Sequence, residues 1–134
     1  MRDTIVVGST GGYLATPEMG AGPAVLVITE PAAAKQRRRI CDDLAAEGFT
    51  ALAPELRNGR TAGDLTAAIE LLKPHPAVRG QGIGVVADDA GADLARWLAA
   101  ERPDDVVAVD VPDGEDDERL AWIRTLEFLR KHLG

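Results

Sequence analysis

The hydrophobic residues of this chain fall into two kinds of segment that alternate along most of its length. Some are short apolar runs without polar alternation, such as AVLVIT (24–29) and GIGVVA (82–87), which are typical of strands buried on both faces. Others carry a single apolar stripe at helical spacing, as in AGDLTAAIELLK (62–73). Because strands separated by helices pair in parallel, the pattern predicts a small doubly wound three-layer α/β sandwich with a mostly parallel sheet of about five main strands.

The amino-terminal segment has a different pattern. TIVVGS (4–9) is followed by Thr10, by two glycines and then by YLATP (13–17), which predicts a β-hairpin. A phosphate-binding loop needs a helix after its glycines, whereas here a strand continues to Pro17. We therefore expect neither a nucleotide nor any other cofactor.

Length and charge narrow the class of protein. The 134 residues are enough for one domain with one core, and we assign residues 1–134 to it. The formal charge of -7 disfavours nucleic acid and anionic membranes as partners, so a small-molecule partner is expected. Since no signal peptide or membrane-spanning run is evident, we expect a cytoplasmic protein. The lone Cys41 is predicted to be a buried structural thiol.

Polar side chains follow the predicted strands at their carboxyl ends, where parallel sheets bind ligands. These residues are Thr29, Glu30, Glu55, Asp88, Asp89, Asp110 and Asp113. Glu30 and Asp89 are predicted to be catalytic, because two carboxyl groups in different environments can serve as acid and base. The predicted substrate-binding residues are Thr29, Glu55, Asp88, Ala90 and Asp110. Alternatively the carboxylates, Asp88 and Asp113 above all, cap helices or are simply solvated.

The residues that usually complete a hydrolytic site are poorly placed. His75 precedes a predicted strand and His132 lies near the end of the last helix, so neither is expected to reach Asp89. Ser9 is the only serine, and it lies in the amino-terminal hairpin. Without a base that activates water, an ester formed on Asp89 has no evident route to hydrolysis.

Two further features have alternative interpretations. Mg²⁺ could be held by Glu30, Asp88 and Asp89, but no ligand pattern supports this, and we predict no metal site. The basic run KQRRR (35–39) is predicted to be a solvated helix face, with contact to an anionic substrate or an acidic carrier protein as the alternative.

Several segments together resemble the dienelactone hydrolase family of α/β hydrolases. GGYLATPEMGAGPAVLVITE (11–30) is similar to the opening of that family, and DDLAAEGFTALAPEL (42–56) to its first helix and following strand. GIGVVADDAGA (82–92) stands at its nucleophile elbow, and AWIRTLEFLRKHL (121–133) is similar to its terminal helix. The resemblance covers nearly all of the chain and implies a shortened α/β-hydrolase fold.

The departures from the family pattern bear on function. Asp89 stands where the family has its nucleophilic Cys, and Ala87 replaces the first elbow glycine. Glu30 matches a family glutamate, while Thr29 replaces the His before it. The segments that bring the triad Asp and His in the family have no counterpart here. We therefore expect a protein that lacks a working triad and acts on a small organic substrate by carboxylate acid/base catalysis, as a cyclase, an isomerase or an eliminating enzyme, with a biosynthetic role as one option.

Two alternatives stay open at this stage. The protein could be a non-catalytic hydrolase-like scaffold or binding subunit, or a residual hydrolase with Asp89 as its nucleophile. In each case the loss of family strands could leave an exposed sheet edge, and a homodimer is one way to cover it.

Overall fold

A computed structural model of the chain describes residues 2–56, 61–111 and 117–133. The strands in these ranges are β1 (Arg2–Val7), β2 (Thr10–Ala15), β3 (Gly22–Ile28), β4 (Thr50–Pro54), β5 (Val78–Ala87) and β6 (Val106–Asp110). They form one sheet in the order β1-β2-β4-β3-β5-β6. The strands β3 to β6 are mutually parallel, and the β1–β2 hairpin joins the sheet through an antiparallel pairing of β2 with β4.

Helices cover both faces of this sheet. They are α1 (Ala34–Ala46), α2 (Thr61–Leu72), α3 (Ala92–Glu101) and α4 (Glu118–Leu133). The helices α2 and α3 pack on one face around Leu65, Ile69 and Leu98, while α1 and α4 pack on the other around Leu44 and Leu129. The central strand β3 is buried along nearly its whole length because both of its faces are covered, which accounts for its unbroken apolar run.

The predicted fold is confirmed. The described residues form a three-layer α/β sandwich whose sheet has four parallel strands and an amino-terminal hairpin. No helix in the described ranges is long and apolar enough to cross a membrane. Asp113, an expected helix cap, lies outside the described residues. The cap that the structure records for α4 is Asp117, whose Oδ1 atom accepts hydrogen bonds from the amides of Arg119 and Leu120.

The prediction that the basic run 35–39 forms a solvated helix face is wrong for Arg37. The run lies on α1, and Arg38 and Arg39 are exposed, but Arg37 is only 5% exposed and is not part of a solvated face. The physical reason is helical spacing, since position 37 shares the inward face of α1 with Cys41 and Leu44. Cys41 itself is fully buried, as predicted, and this burial raises the pKa of its thiol to about 12.

Candidate functional site

The candidate residues lie along one edge of the sheet, at the carboxyl ends of the parallel strands. Across this edge the order is Glu55 after β4, residues 29–30 after β3, residues 88–90 after β5, and Asp110 at the end of β6. Because β3 and β5 are neighbours, residues 29–30 and 88–90 lie side by side at the middle of the edge. Glu55 and Asp110 lie one strand further out, on opposite sides.

The side chain of Asp88 joins the two central loops. Its Oδ2 atom accepts a hydrogen bond from the Glu30 amide at 3.1 Å, and its Oδ1 atom accepts one from the Gly91 amide at 2.8 Å. The Asp88 amide in turn donates to the carbonyl oxygen of Ile28 at 3.2 Å. One half-buried carboxylate therefore fixes both the loop after β3 and the turn after β5.

The turn after β5 is compact and contains no residue with a positive φ. Gly91 is the N-cap residue of α3, and a Cβ atom there would lie 2.4 Å from the carbonyl oxygen of Ile28, so only glycine fits. No non-glycine residue in the described ranges has a positive φ, so Asp89 is not in the left-handed conformation. The turn thus lacks this form of backbone strain, which is one way in which a sharp nucleophile elbow exposes its reactive side chain.

Glu30, Asp89 and Ala90 are all exposed. Within the described part of the chain, the structure records no hydrogen bond or ion pair of the Glu30 or the Asp89 carboxylate. Their backbones are nevertheless fixed through Asp88. Both carboxylates are therefore accessible to a ligand that approaches the middle of this edge.

Thr29 and Arg37 form a buried contact beneath Glu30. Thr29 is 5% exposed, and its hydroxyl accepts a hydrogen bond from Nη1 of Arg37 at 3.1 Å and donates to the carbonyl oxygen of Glu30 at 3.3 Å. Thr29 is thus part of the internal support of the loop. Arg37 is a residue of this site that the polar run 35–39 did not reveal, because that run predicted a solvated helix face.

Glu55 and Asp110 support the two sides of the edge. The Glu55 carbonyl oxygen accepts a hydrogen bond from the Thr10 hydroxyl at 2.7 Å, and the Glu55 amide donates to the Gly11 carbonyl oxygen at 2.8 Å. The Asp110 carboxylate accepts a hydrogen bond from the Thr125 hydroxyl at 2.7 Å, which ties β6 to α4. Both residues are half-buried.

Ser9 lies at the same end of the sheet, because β2 runs antiparallel to β4 and its first residues extend past the end of β4. The Ser9 hydroxyl and amide both donate to Oδ1 of Asp64 at 2.8 Å. Since β2 is three strands away from β5, Ser9 is about 14 Å from the turn that holds Asp89, at the usual strand spacing. The structure therefore does not bring Ser9 to the candidate carboxylates.

The two histidines lie away from this edge. Nδ1 of His75 accepts a hydrogen bond from the Ala77 amide at 3.0 Å, in the turn that precedes β5. His132 contacts the ring of Phe128 near the end of α4, with ring centroids 4.5 Å apart. Among residues 2–56, 61–111 and 117–133, no group of three or more His, Cys, Asp or Glu side chains is arranged to hold a metal ion.

Comparison with known proteins identifies a family that this chain resembles. The model of the dienelactone hydrolase family matches residues 10–63. A protein of Aquifex aeolicus named "Putative carboxymethylenebutenolidase" is 31% identical over a 123-residue alignment that covers 72% of this chain and 53% of that protein. The resemblance to the dienelactone hydrolase family is confirmed. Protein usf of Aquifex pyrophilus is also similar to this dienelactone-hydrolase-like chain, at 29% identity over 119 residues that cover 69% of the chain and 51% of that protein.

Solved structures support the α/β-hydrolase fold. A laboratory-evolved variant of potato epoxide hydrolase superposes on this chain with a TM-score of 0.60 and 24% sequence identity. The superposition covers 89% of this chain and 41% of the epoxide hydrolase chain. An epoxide hydrolase of Vigna radiata gives a TM-score of 0.57 at 22% sequence identity. This superposition covers 96% of this chain and 47% of the Vigna radiata chain. At these identities the likeness concerns the fold alone. The dienelactone-hydrolase-like chain spans about half the length of the curated relatives it matches.

Proposed function

We propose that this protein acts on a small organic substrate by non-covalent proton transfer, with Glu30 and Asp89 as its acid and base. Cyclisation, isomerisation and elimination are reactions of this class, because each needs positioned proton donors and acceptors but no covalent enzyme intermediate. The observation that carries the proposal is the Asp88 bridge, which fixes the loop of Glu30 and the turn of Asp89 through a single side chain. Proton transfer benefits from supports of this kind because the reacting groups must keep their geometry.

The name of the Aquifex aeolicus relative suggests the first substrate to test, a carboxymethylene-substituted unsaturated lactone. In a cis–trans isomerisation of such a lactone, the acid adds a proton to the exocyclic carbon of the enol-ester double bond, which leaves a cation stabilised by the ring oxygen. Rotation about the new single bond follows, and the base then removes a proton from the same exocyclic carbon. The proton count and the charge both balance, and no water is consumed. Hydrolysis differs in outcome because it adds water and opens the ring.

The test is to incubate the purified protein with carboxymethylenebutenolide in deuterated buffer and to follow the reaction by proton NMR. Isomerisation is expected to introduce deuterium at carbon while the lactone ring stays closed. Glu30→Gln and Asp89→Asn should each lower the rate by about 100-fold or more, the usual contribution of a positioned acid or base. Asp43→Asn, which changes an exposed carboxylate on α1, is the matched control and should react at the wild-type rate.

Two results would contradict the proposal. Wild-type rates in both the Glu30→Gln and the Asp89→Asn variants would remove these carboxylates from the reaction. Absence of exchange with a panel of unsaturated lactones and their open-chain acids would favour the second candidate, a non-catalytic scaffold or binding subunit. That candidate is supported by the absence of a positive φ at Asp89 and by the structural hydrogen bonds of Asp88.

A third candidate is a residual hydrolase in which Asp89 is the nucleophile. It predicts a covalent adduct on Asp89, detectable by intact-protein mass spectrometry after treatment with reactive epoxides or esters. The φ of Asp89 is not positive, which offers no support for a strained elbow of the usual kind. An adduct that is lost in Asp89→Asn would nevertheless replace our proposal by this one.

A homodimer and a cytoplasmic location are further parts of the proposal. Within the described residues β6 pairs with β5 alone, and Val107 on β6 is 45% exposed, which supports pairing of this edge with a second copy. Light scattering coupled to size exclusion is expected to give twice the chain mass, and Val107→Lys should give the chain mass. A monomer for the wild-type protein would remove the dimer.

A further inference from the structure

The backbone of Glu30 is held from two sides by side chains of opposite charge. On one side the Glu30 amide donates to the carboxylate of Asp88 at 3.1 Å. On the other side the Glu30 carbonyl oxygen accepts hydrogen bonds from Nη1 of Arg37 at 3.0 Å and from the amide of Ala33 at 3.0 Å, and a longer one from the Thr29 hydroxyl at 3.3 Å. Asp88 follows β5 and Arg37 lies on α1, so the two side chains come from different parts of the fold.

All the hydrogen bonds that the structure records for the Arg37 guanidinium are made by Nη1, and they end on consecutive residues of the loop after β3. Besides Glu30, this nitrogen reaches the Thr29 hydroxyl at 3.1 Å and the Pro31 carbonyl oxygen at 3.5 Å, a longer and weaker contact. A buried guanidinium usually pairs with a carboxylate, because removal of a charge from water is costly. In the described ranges Arg37 forms no ion pair with an acidic side chain, so its recorded contacts are with the loop itself.

We infer that Arg37 is a positioning residue, which holds the main chain of Glu30 against Asp88 so that the Glu30 carboxylate stands at the middle of the carboxyl edge. The catalytic meaning of this position rests on the proposed function, but the positioning itself does not. Arg37 does not contact the substrate in this scheme. It acts through the carbonyl oxygen of Glu30, as Asp88 acts through the amide.

The experiment compares three variants of the full chain labelled with ¹³C and ¹⁵N. Arg37→Met keeps an unbranched apolar stem but removes the guanidinium and its donors, and Arg37→Lys keeps a charged donor. Arg39→Met is the matched control, because Arg39 is exposed on the same helix. Circular dichroism and the amide spectrum of the β3 and β5 core first establish that each variant is folded.

Two readouts then report on Glu30. In Arg37→Met the Ala33 amide, whose acceptor is the Glu30 carbonyl oxygen, is expected to exchange with deuterium about tenfold faster or more, while the core amides of β3 keep their protection. The three-bond coupling between the amide proton and the Hα proton of Glu30, which reports its φ angle, should move toward conformational averaging. Arg37→Lys should fall between wild type and Arg37→Met, and Arg39→Met should match wild type.

Turnover of the lactone gives the second half of the test. Arg37→Met should lower kcat by about tenfold or more and change KM by less than about threefold, since Arg37 orients a reacting group and does not bind substrate. A Glu30 coupling and an Ala33 exchange rate that match wild type in Arg37→Met would overturn the inference. If Glu30→Gln keeps full turnover, the proposed function fails, whereas loss of Glu30 order in Arg37→Met still supports the positioning role.

Discussion

The Ser9 hydroxyl donates a hydrogen bond to Oδ1 of Asp64 at 2.8 Å, and the Ser9 amide donates to the same atom at the same distance. These bonds join the turn of the β1–β2 hairpin to the first turn of α2. Asp64 is only 3% exposed, and its Oδ2 atom is buried without a partner among the described residues. A buried oxygen without a hydrogen-bond donor destabilises the folded state. The two hydrogen bonds at Oδ1 therefore offset part of the free-energy cost of burying this carboxylate.

Gly8, next to Ser9, gives a test of this contact. It has a φ of +59°, and a Cβ atom there would lie 2.6 Å from Oδ1 of Asp64. Gly8→Ala should therefore lower the free energy of unfolding in urea by roughly 1–3 kcal/mol. Gly63→Ala is the control, since nothing lies within 4 Å of the added methyl group and alanine should stabilise α2 by about 0.5–1 kcal/mol. Equal midpoints for Gly8→Ala and the wild-type protein would show that the turn can move away from Asp64.

The Asp88 bridge should also be measurable in stability. Asp88→Ala removes the recorded acceptor of the Glu30 amide and leaves the Gly91 amide with only the backbone carbonyl oxygen of residue 88, at 3.1 Å, so it is expected to cost about 1–3 kcal/mol in the free energy of unfolding. Asp88→Asn keeps one carbonyl oxygen and should cost less. Asp43→Ala, at an exposed position on α1, should stay within about 0.5 kcal/mol of wild type. An Asp88→Ala variant no less stable than Asp43→Ala would mean that water replaces both bonds without loss.

The order of strands and helices was predictable because each buried strand is a continuous apolar run and each helix carries one apolar stripe. The position of the site along one edge followed from parallel pairing, since the carboxyl ends of parallel strands must lie together. What could not be predicted was the geometry within that edge. The contacts of Asp88 join residues 58 positions apart, and no local pattern specifies which carboxylate supports a loop and which stays exposed.

The sequence around Arg37 contained a signal for its burial, but the neighbouring polar residues favoured the opposite prediction. In sequence it is the middle of five consecutive polar residues, which favoured a solvated face. It also stands four residues before Cys41 and seven before Leu44, the spacing of the buried stripe of α1. Ser9 is the opposite case, since only the antiparallel register of β2 with β4 reveals that the hairpin turn lies at the carboxyl edge.

The buried thiol of Cys41 should make the protein less stable in alkali. Burial raises its pKa from 9.0 to about 12, so between these pH values the thiol ionises in the unfolded chain but not in the folded one. Stability should therefore be lost as the pH rises through this window. The difference in free energy of unfolding between wild type and Cys41→Val, which cannot ionise, is expected to shift against wild type from pH 9 to pH 11. A difference that is constant with pH would contradict the raised pKa, as would rapid labelling of the native thiol at pH 8.

The carboxyl group of Asp105, at the amino end of β6, should make the protein less stable in acid, which is the opposite pH dependence to that of Cys41. Burial alone would raise the pKa of its carboxyl group, but Lys73 at 3.2 Å and Arg102 at 3.0 Å outweigh burial and lower it below 3.8. Because the folded state holds the ionised form more strongly, this carboxylate stabilises the protein above pH 3.8, and the contribution disappears as the pH falls through the lowered pKa.

Asp105→Asn should lower the free energy of unfolding by about 1 kcal/mol at pH 7 and by progressively less toward pH 2, as measured by urea unfolding. Asp104→Asn changes the exposed neighbouring carboxylate and should show neither effect. A loss in Asp105→Asn that is equally large at pH 2 would mean that the two cations do not stabilise the ionised form, and that the side chain contributes through packing alone.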